Sequence, residues 1–516
     1  MRRLLIAHVE PAQREDKGDF YYRTQAPCRA MAELDGVSTV SLSSIHRKRD
    51  EIFRRADVLV LKNVCDPDIL PLLAERRRNG KLSVYEVADD LEAVPPWNPV
   101  YFFYKNPENL SLFRTTARSC DALQFTVAEL ERIYGHLNAR SAVFPNNISE
   151  VPPERRSGGG NRIIIGWGGS HGHLEDIRDI AGPLARWIIN TPGVILYIMC
   201  SDPIWELFGA LPAERKRRFP TGSIHDYYSF LKKIDVGIAP LRDTPFNRSR
   251  SDIKFLEYAV HGAVPVIQNL TPYRYSARPG ETCFLFGNSG ELIGILERLA
   301  ADGSLRNAVA ESARSYVLRE RIESSHSCER VAFYEDLRRE MEPTDSSAES
   351  EDIIRSAEKW EGTSRNGRYA RLIPTRFENL LHDGLVYLQI EKDPVSAKEC
   401  FRQASAIEPD NYLPHLYSSA CSADPIKDLI RADGKNPRSI KAQIMMGGEY
   451  AKRRDYRSAM SCFEKAASIF PGCEIPYLRA ADVLDAIGNR TAAAEIRRKA
   501  CLIAERDARE KNPCSA

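Results

Sequence analysis

The chain has 516 residues, 43% of them apolar and 28% charged, with a formal net charge of +2. That length predicts two to four domains, each able to bury its own core, and the near-neutral balance gives no global argument for nucleic acid or an anionic membrane as partner. Twelve cysteines with no C-x-x-C pair argue against structural zinc and a disulfide framework, and for a reducing cytoplasm.

The N-terminal run LLIAHV is too short for a secretory signal and reads as a first buried strand. No stretch approaches the roughly 20 apolar residues of a membrane helix, so we expect no transmembrane segment. From residue 1 to about 153, short Val/Leu-rich runs (LLIAHV, DVLVLKNV, LSVYEVADD, DALQFTV, SAVFPNN) alternate with amphipathic stretches such as AELERIYGHLN. That alternation predicts a Rossmann-like parallel-sheet unit. The breaker PPERRSGGGNR, at residues 152–162, is the expected interdomain hinge. The pattern then restarts with RIIIGWGG, VILYIMC, DVGIAPL and VPVIQ, and a second α/β unit is expected over residues 154–340. Residues 341–375, rich in Ser and Glu at first, read as a flexible linker.

The remainder repeats. Ala397, Phe401, Ala404 and Pro409 recur as Ala459, Phe463, Ala466 and Pro471, 62 residues later, and Gly447 and Tyr450 precede the second copy. Small and large residues at these offsets are what stacked helix pairs of tetratricopeptide type require, at a period of about 34. A shortened middle copy (residues 411–439) and a degenerate last copy then complete a helical repeat domain over 376–510. Its concave face is expected to take a protein or peptide partner.

Two loops carry the chemistry. IIIGWGGSH (residues 163–171) is a strand running into a glycine turn, where Gly168, Gly169 and Ser170 can bring backbone close to phosphates. His171 replaces the third glycine of a dinucleotide fingerprint, and taken alone the segment is an ordinary βα turn. His171 and His173 lack a third ligand nearby, so no metal is expected there. The second loop follows DVGIAPL and contains Asn247, Arg248, Arg250 and Ser251. Ser249 with Asp252 fits a capping box, which predicts a helix starting at Arg250. Lys254 and Glu257 then share one helix face. A cation for a diphosphate and a carboxylate for ribose hydroxyls would make a nucleotide-sugar site. A surface Lys254–Glu257 ion pair is the plainer alternative, and residue physics leaves the two even. In the first unit Asp89 and Asp90 follow a strand. They suit either an acceptor-side acid/base role or turn capping, and the plainer reading is favoured for each. His8 ends the first strand, where a histidine is most often structural.

The second loop resembles the signature of group 1 glycosyltransferases, the large retaining group of GT-B fold. Their K-x-x-E-Y/A-x3-G followed by P-V is matched by Lys254, Glu257, Tyr258, Gly262, Pro265 and Val266. DVGIAPL, the GWGG loop, YEVADDL and VFPNNI are also similar to that family, over about residues 1–340. The resemblance implies two Rossmann-like domains followed by the repeats. It implies Arg250 and Lys254 on the donor diphosphate, Glu257 on the ribose, Gly168, Gly169 and Ser170 near the phosphates, and Asn247 and Ser251 within the donor loop. It implies a nucleotide-sugar donor as substrate, a glycan, lipid-linked glycan or protein as acceptor, no cofactor and no metal, and work in the cytoplasm or at the inner face of the membrane. One position departs: the glutamate that many members place eight residues before the ribose glutamate is Ser249 here. A sugar-nucleotide epimerase and a non-catalytic repeat scaffold with a relic α/β half are the competing expectations.

Overall fold

The computed structural model describes residues 4–11, 18–154, 162–341, 360–362 and 368–510. The first unit is built on an eight-stranded sheet. Six of its strands are β1 (Leu4–Glu10), β2 (Val37–Ser43), β3 (Val58–Lys62), β4 (Leu82–Val87), β5 (Ala122–Phe125) and β6 (Ser141–Val143). The apolar runs are continuous because both faces are covered. Leu5, Ala7, Leu59, Tyr85 and Leu123 pack into one core layer, and Leu4, Ile6, Val58, Val84 and Ala122 into the other.

The second unit is a six-stranded, all-parallel sheet of β7 (Ile163–Gly168), β8 (Val194–Met199), β9 (Lys216–Phe219), β10 (Val236–Ala239), β11 (Val264–Gln268) and β12 (Phe284–Phe286). Its order is β12-β11-β10-β7-β8-β9, so the chain reverses direction across the sheet between β7 and β10. A crevice outside the carboxyl ends of those two strands is where an open α/β sheet takes ligands. The glycine loop follows β7 and the arginine loop follows β10.

Helix Glu323–Arg339 leaves the second unit and lies on the first. Val331, Tyr334 and Leu337 join the core of Leu4 and Ile6, and the Tyr334 hydroxyl donates to Gln124 Oε1 at 2.7 Å.

The expected linker is partly sheet. Trp360–Gly362 (β13) and Tyr369–Leu372 (β14) extend the first sheet, in the order β13-β14-β2-β1-β3-β4-β5-β6. Strand β14 runs parallel to β2 with Tyr369 opposite Thr39, and β13 is antiparallel to β14. Alternation of Tyr, Ala, Arg and Leu is too short to announce a strand; the open edge of β2 supplies the partner. The rest of the expected linker (342–359 and 363–367) and most of the expected hinge (155–161) lie outside the described residues.

From Arg376 to Glu510 the chain is mainly helical, with consecutive helices packed together, such as Arg376–Val386 with Pro394–Ile407 and Ile440–Lys452 with Tyr456–Ile469. A Cβ on Gly384 would stand 2.4 Å from the Phe401 ring, and one on Gly447 would stand 2.5 Å from that of Phe463. The same contact thus recurs in both copies. The middle pair, Leu413–Ser418 and Pro425–Lys435, is the short one. These helices pack directly on the first unit. Asp68 accepts from the Tyr412 hydroxyl (2.7 Å), the Ser439 hydroxyl (2.8 Å) and the Lys441 backbone (3.0 Å), while Cys473 and Ile475 enter the first unit's core. No helix among the described residues is long and apolar enough to cross a membrane.

Candidate functional site

The glycine loop is tight. A Cβ on Gly168 would meet the Tyr227 ring at 2.8 Å, and one on Gly169 the Trp167 ring at 2.7 Å. The two glycines therefore admit these rings where side chains would stand, and Ser170 beyond them is exposed. His173 closes the turn before helix Leu174–Asn190, its Nδ1 2.8 Å from Asp176 Oδ2. The other oxygen of Asp176 accepts from the Arg242 backbone (2.9 Å) and the Asn247 amide (2.8 Å). Asn247, expected to line the donor loop, thus turns its side chain toward the loop's own frame.

The second loop differs from expectation at its end. Thr244 caps a short helix, Pro245–Arg248, and Ser249 closes it, its hydroxyl donating to Phe246 O at 2.9 Å. The next helix is Ile253–Val260, with Asp252 at its N-cap. The capping box does not form, because Arg321 takes both oxygens of Asp252 at 2.6 and 3.0 Å. Arg250 therefore sits in the loop ahead of the helix, its guanidinium 5.3 Å from the centre of the Phe246 ring. Arg248 is exposed and paired with Asp243. Ser251 Oγ accepts from the Asn146 amide at 2.9 Å, which ties this loop to the first unit.

Lys254 and Glu257 are 3.4 Å apart, but they are no surface pair: their side chains are 20% and 4% exposed. Glu257 Oε1 accepts from the Tyr22 hydroxyl (2.9 Å) and Oε2 from the Tyr227 hydroxyl (3.0 Å). Lys254 donates to the Tyr227 oxygen at 2.6 Å and lies 4.3 Å over its ring. A carboxylate taken out of water needs such partners. Burial, then Glu257, raises the pKa of both Tyr22 and Tyr227, so both remain protonated donors. Burial lowers that of Lys254 while Glu257 opposes it. The Tyr22 hydroxyl also touches that of Tyr228 at 2.8 Å. Sequence reasoning missed these tyrosines; their one trace is a pair of Tyr-Tyr doublets, Tyr21–Tyr22 and Tyr227–Tyr228.

Asp89 and Asp90 separate. Asp90 is buried, accepts from the Tyr134 hydroxyl at 2.6 Å and holds the Ala93 backbone at 3.2 Å, a turn-fixing role. Asp89 is half-buried with no hydrogen bond among the described residues; burial raises its pKa and Arg250, from the second unit, lowers it. Beside it the strand ends supply two groups missed from sequence. Lys62 of β3 lies 2.8 Å from Glu10 of β1 and 3.0 Å from Asp19. Their signal was a charge closing each apolar run. His8 is 1% exposed within β1, and burial lowers its pKa to about 3, so the ring is neutral and structural.

No family model and no curated protein matches the sequence. Among solved structures the chain is similar to Anabaena HepE in complex with UDP, with 12% identity and a TM-score of 0.49 over 64% of this chain and 100% of that one. It is also similar to sucrose-phosphate synthase from Thermosynechococcus elongatus, with 12% identity and a TM-score of 0.48 over 65% and 99%. A glycosyltransferase from Rickettsia africae ESF-5 follows at 11% identity and a TM-score of 0.47 over 65% and 98%. At TM-scores under 0.5 these likenesses carry no weight for activity.

Proposed function

We propose that the protein is a glycosyltransferase of GT-B architecture, moving a sugar from a nucleoside-diphosphate donor to an acceptor hydroxyl with retention of configuration. The observation that carries this reading is the cluster of Arg250, Lys254 and Glu257 beyond the carboxyl ends of β7 and β10, of which Lys254 and Glu257 match the family signature. Arg250 and Lys254 hold the diphosphate, each through a charge-assisted hydrogen bond of roughly 1.5–3 kcal/mol. The Gly168, Gly169 and Ser170 backbone approaches its oxygens, and Glu257 takes the ribose hydroxyls once Tyr22 releases it. Fixed cations then stabilise the charge that grows on the leaving diphosphate.

The acceptor enters from the first unit, where Asp89 receives its hydroxyl proton, with closure of the cleft excluding water. The paired helices act as tetratricopeptide-like repeats, a reading supported by the recurring Gly384–Phe401 and Gly447–Phe463 contacts. They present a protein or peptide partner to the acceptor side, in the cytoplasm or at the inner membrane face.

A second reading, a scaffold with a relic α/β half, is favoured by Ser249 in place of the glutamate and by the tyrosines that already occupy Glu257. Thermal shift against UDP, GDP and ADP sugars separates the two. A bound donor at 100 times its Kd adds about 2.7 kcal/mol of stability, whereas a relic leaves the melting temperature unmoved.

A further inference from the structure

His173 does more than close the glycine turn. Its partner Asp176 is 3% exposed and joins the glycine loop to the arginine loop, one oxygen on His173 Nδ1 and the other on the Asn247 amide and Arg242 backbone. With a carboxylate as acceptor, Nδ1 carries the hydrogen and the ring orientation is fixed. Nε2 makes no hydrogen bond among the described residues, and the side chain keeps 12% exposure. The ring's Cδ2, the carbon bonded to Nε2, is 3.3 Å from the position of a Cβ on Gly169. This edge of the ring therefore lies beside the same glycine backbone that is proposed to approach the phosphates. Trp167 stands edge-on to the ring, its centroid at 6.2 Å.

We propose that His173, oriented by Asp176, binds the terminal phosphate of the nucleoside diphosphate through Nε2 and takes up a proton as that diphosphate arrives. The proposal rests on the donor-site reading above. The groups that face the ring are Asp176 from its own helix, Arg250 from the arginine loop and Lys254 from helix Ile253–Val260. From the first unit, uncharged Asn98 reaches the loop, 3.4 Å from a Cβ on Gly172. Burial, then Arg250 and Lys254, lowers the pKa of the His173 imidazole, and Asp176 opposes them. A diphosphate places its negative charges among those cations, and an opposite charge at that distance favours the imidazolium. During transfer the bond from the sugar's anomeric carbon to the phosphate oxygen breaks, and its electron pair stays on that oxygen. The anomeric carbon bonds to the acceptor oxygen, whose proton leaves through Asp89. The His173 proton remains on Nε2 and hydrogen-bonds the oxygen that has gained charge.

The test is calorimetry of the full chain with UDP, GDP and ADP, from about pH 5.5 to about pH 8, in two buffers of different ionisation enthalpy. Wild type, His173→Gln and Asp176→Asn are compared, with melting curves to confirm that each is folded. The free diphosphate's own ionisation is common to all three proteins, so differences in uptake between them report the bound complex. The expected result is proton uptake by the wild type that His173→Gln lacks, and binding by that variant weaker by about tenfold near pH 6.5, converging toward pH 8. Asp176→Asn moves the uptake to lower pH. Tight binding with identical uptake and pH dependence in wild type and His173→Gln overturns the assignment and leaves the donor site standing. Failure of every diphosphate to bind wild type overturns the donor site itself, and this proposal with it.

Discussion

The hydroxyl of Tyr22, in the first unit, donates to Glu257 Oε1 in the second at 2.9 Å, over a separation of 235 residues. In the proposed donor site a ribose hydroxyl would meet the same carboxylate and compete with Tyr22 for it. Tyr22→Phe leaves Glu257 short of a donor, which costs the empty protein about 1–3 kcal/mol. It also removes the competitor. The variant is expected to melt lower than wild type yet bind a nucleoside diphosphate more tightly, by up to about tenfold. Melting curves and calorimetry on the same preparation read both effects.

Lys254→Ala and Glu257→Ala each remove one charged partner from the donor. We expect either to weaken donor binding by about 1–3 kcal/mol, measured by calorimetry on folded protein. Glu257→Gln keeps the shape and acceptor oxygen and is expected to lose less than Glu257→Ala.

His261 gives a pH prediction. Its Nδ1 meets the Glu257 carbonyl at 2.8 Å, its Nε2 is buried without a hydrogen-bond partner among the described residues, and burial lowers its pKa from 6.5 to about 4. Between those values the unfolded chain binds a proton that the folded chain refuses. Stability therefore falls as pH drops through that window and is regained as it rises. His261→Asn, which can keep the donor to the Glu257 carbonyl, is expected to flatten the acid-side slope of urea stability between about pH 6.5 and 4.

The repeat helices offer a contrast between adjacent glycines. A Cβ on Gly447 collides with the buried Phe463 ring, whereas one on Gly448 meets nothing within 4 Å. Gly447→Ala is expected to destabilise by about 1–3 kcal/mol through overpacking. Gly448→Ala is expected to stabilise by up to about 1 kcal/mol through helix propensity. Chemical denaturation checks both signs.

Asp68 is the pin between the repeats and the first unit, with three donors from Tyr412, Ser439 and Lys441. Asp68→Ala leaves those donors unanswered and is expected to raise hydrogen exchange in helices Leu413–Ser418 and Ile440–Lys452 ahead of the sheets.

What the sequence disclosed was what neighbours in the chain determine. The apolar runs of both sheets, the restart after residue 162 and the helical spacing around Phe401 and Phe463 are local patterns, and they became strands, a second sheet and helices. The failures involve distant partners. Ser249 and Asp252 had capping-box spacing, but Arg321 took Asp252 and a preceding helix claimed Ser249. Strand β14 exists because β2 has an open edge some 330 residues earlier, and nothing in its own residues says so. At the site, Lys254 and Glu257 were legible from their spacing. Tyr22, Tyr227 and the Asp176 bridge were not, since only the fold brings them to that helix and loop.

Titration of UDP, GDP and ADP into wild type and Lys254→Ala decides whether this helix and its loop hold a diphosphate. At least one diphosphate is expected to bind wild type in the micromolar to millimolar range, and Lys254→Ala to weaken it about tenfold or more. Absence of binding by all three, or equal affinity in the two proteins, contradicts a diphosphate site there.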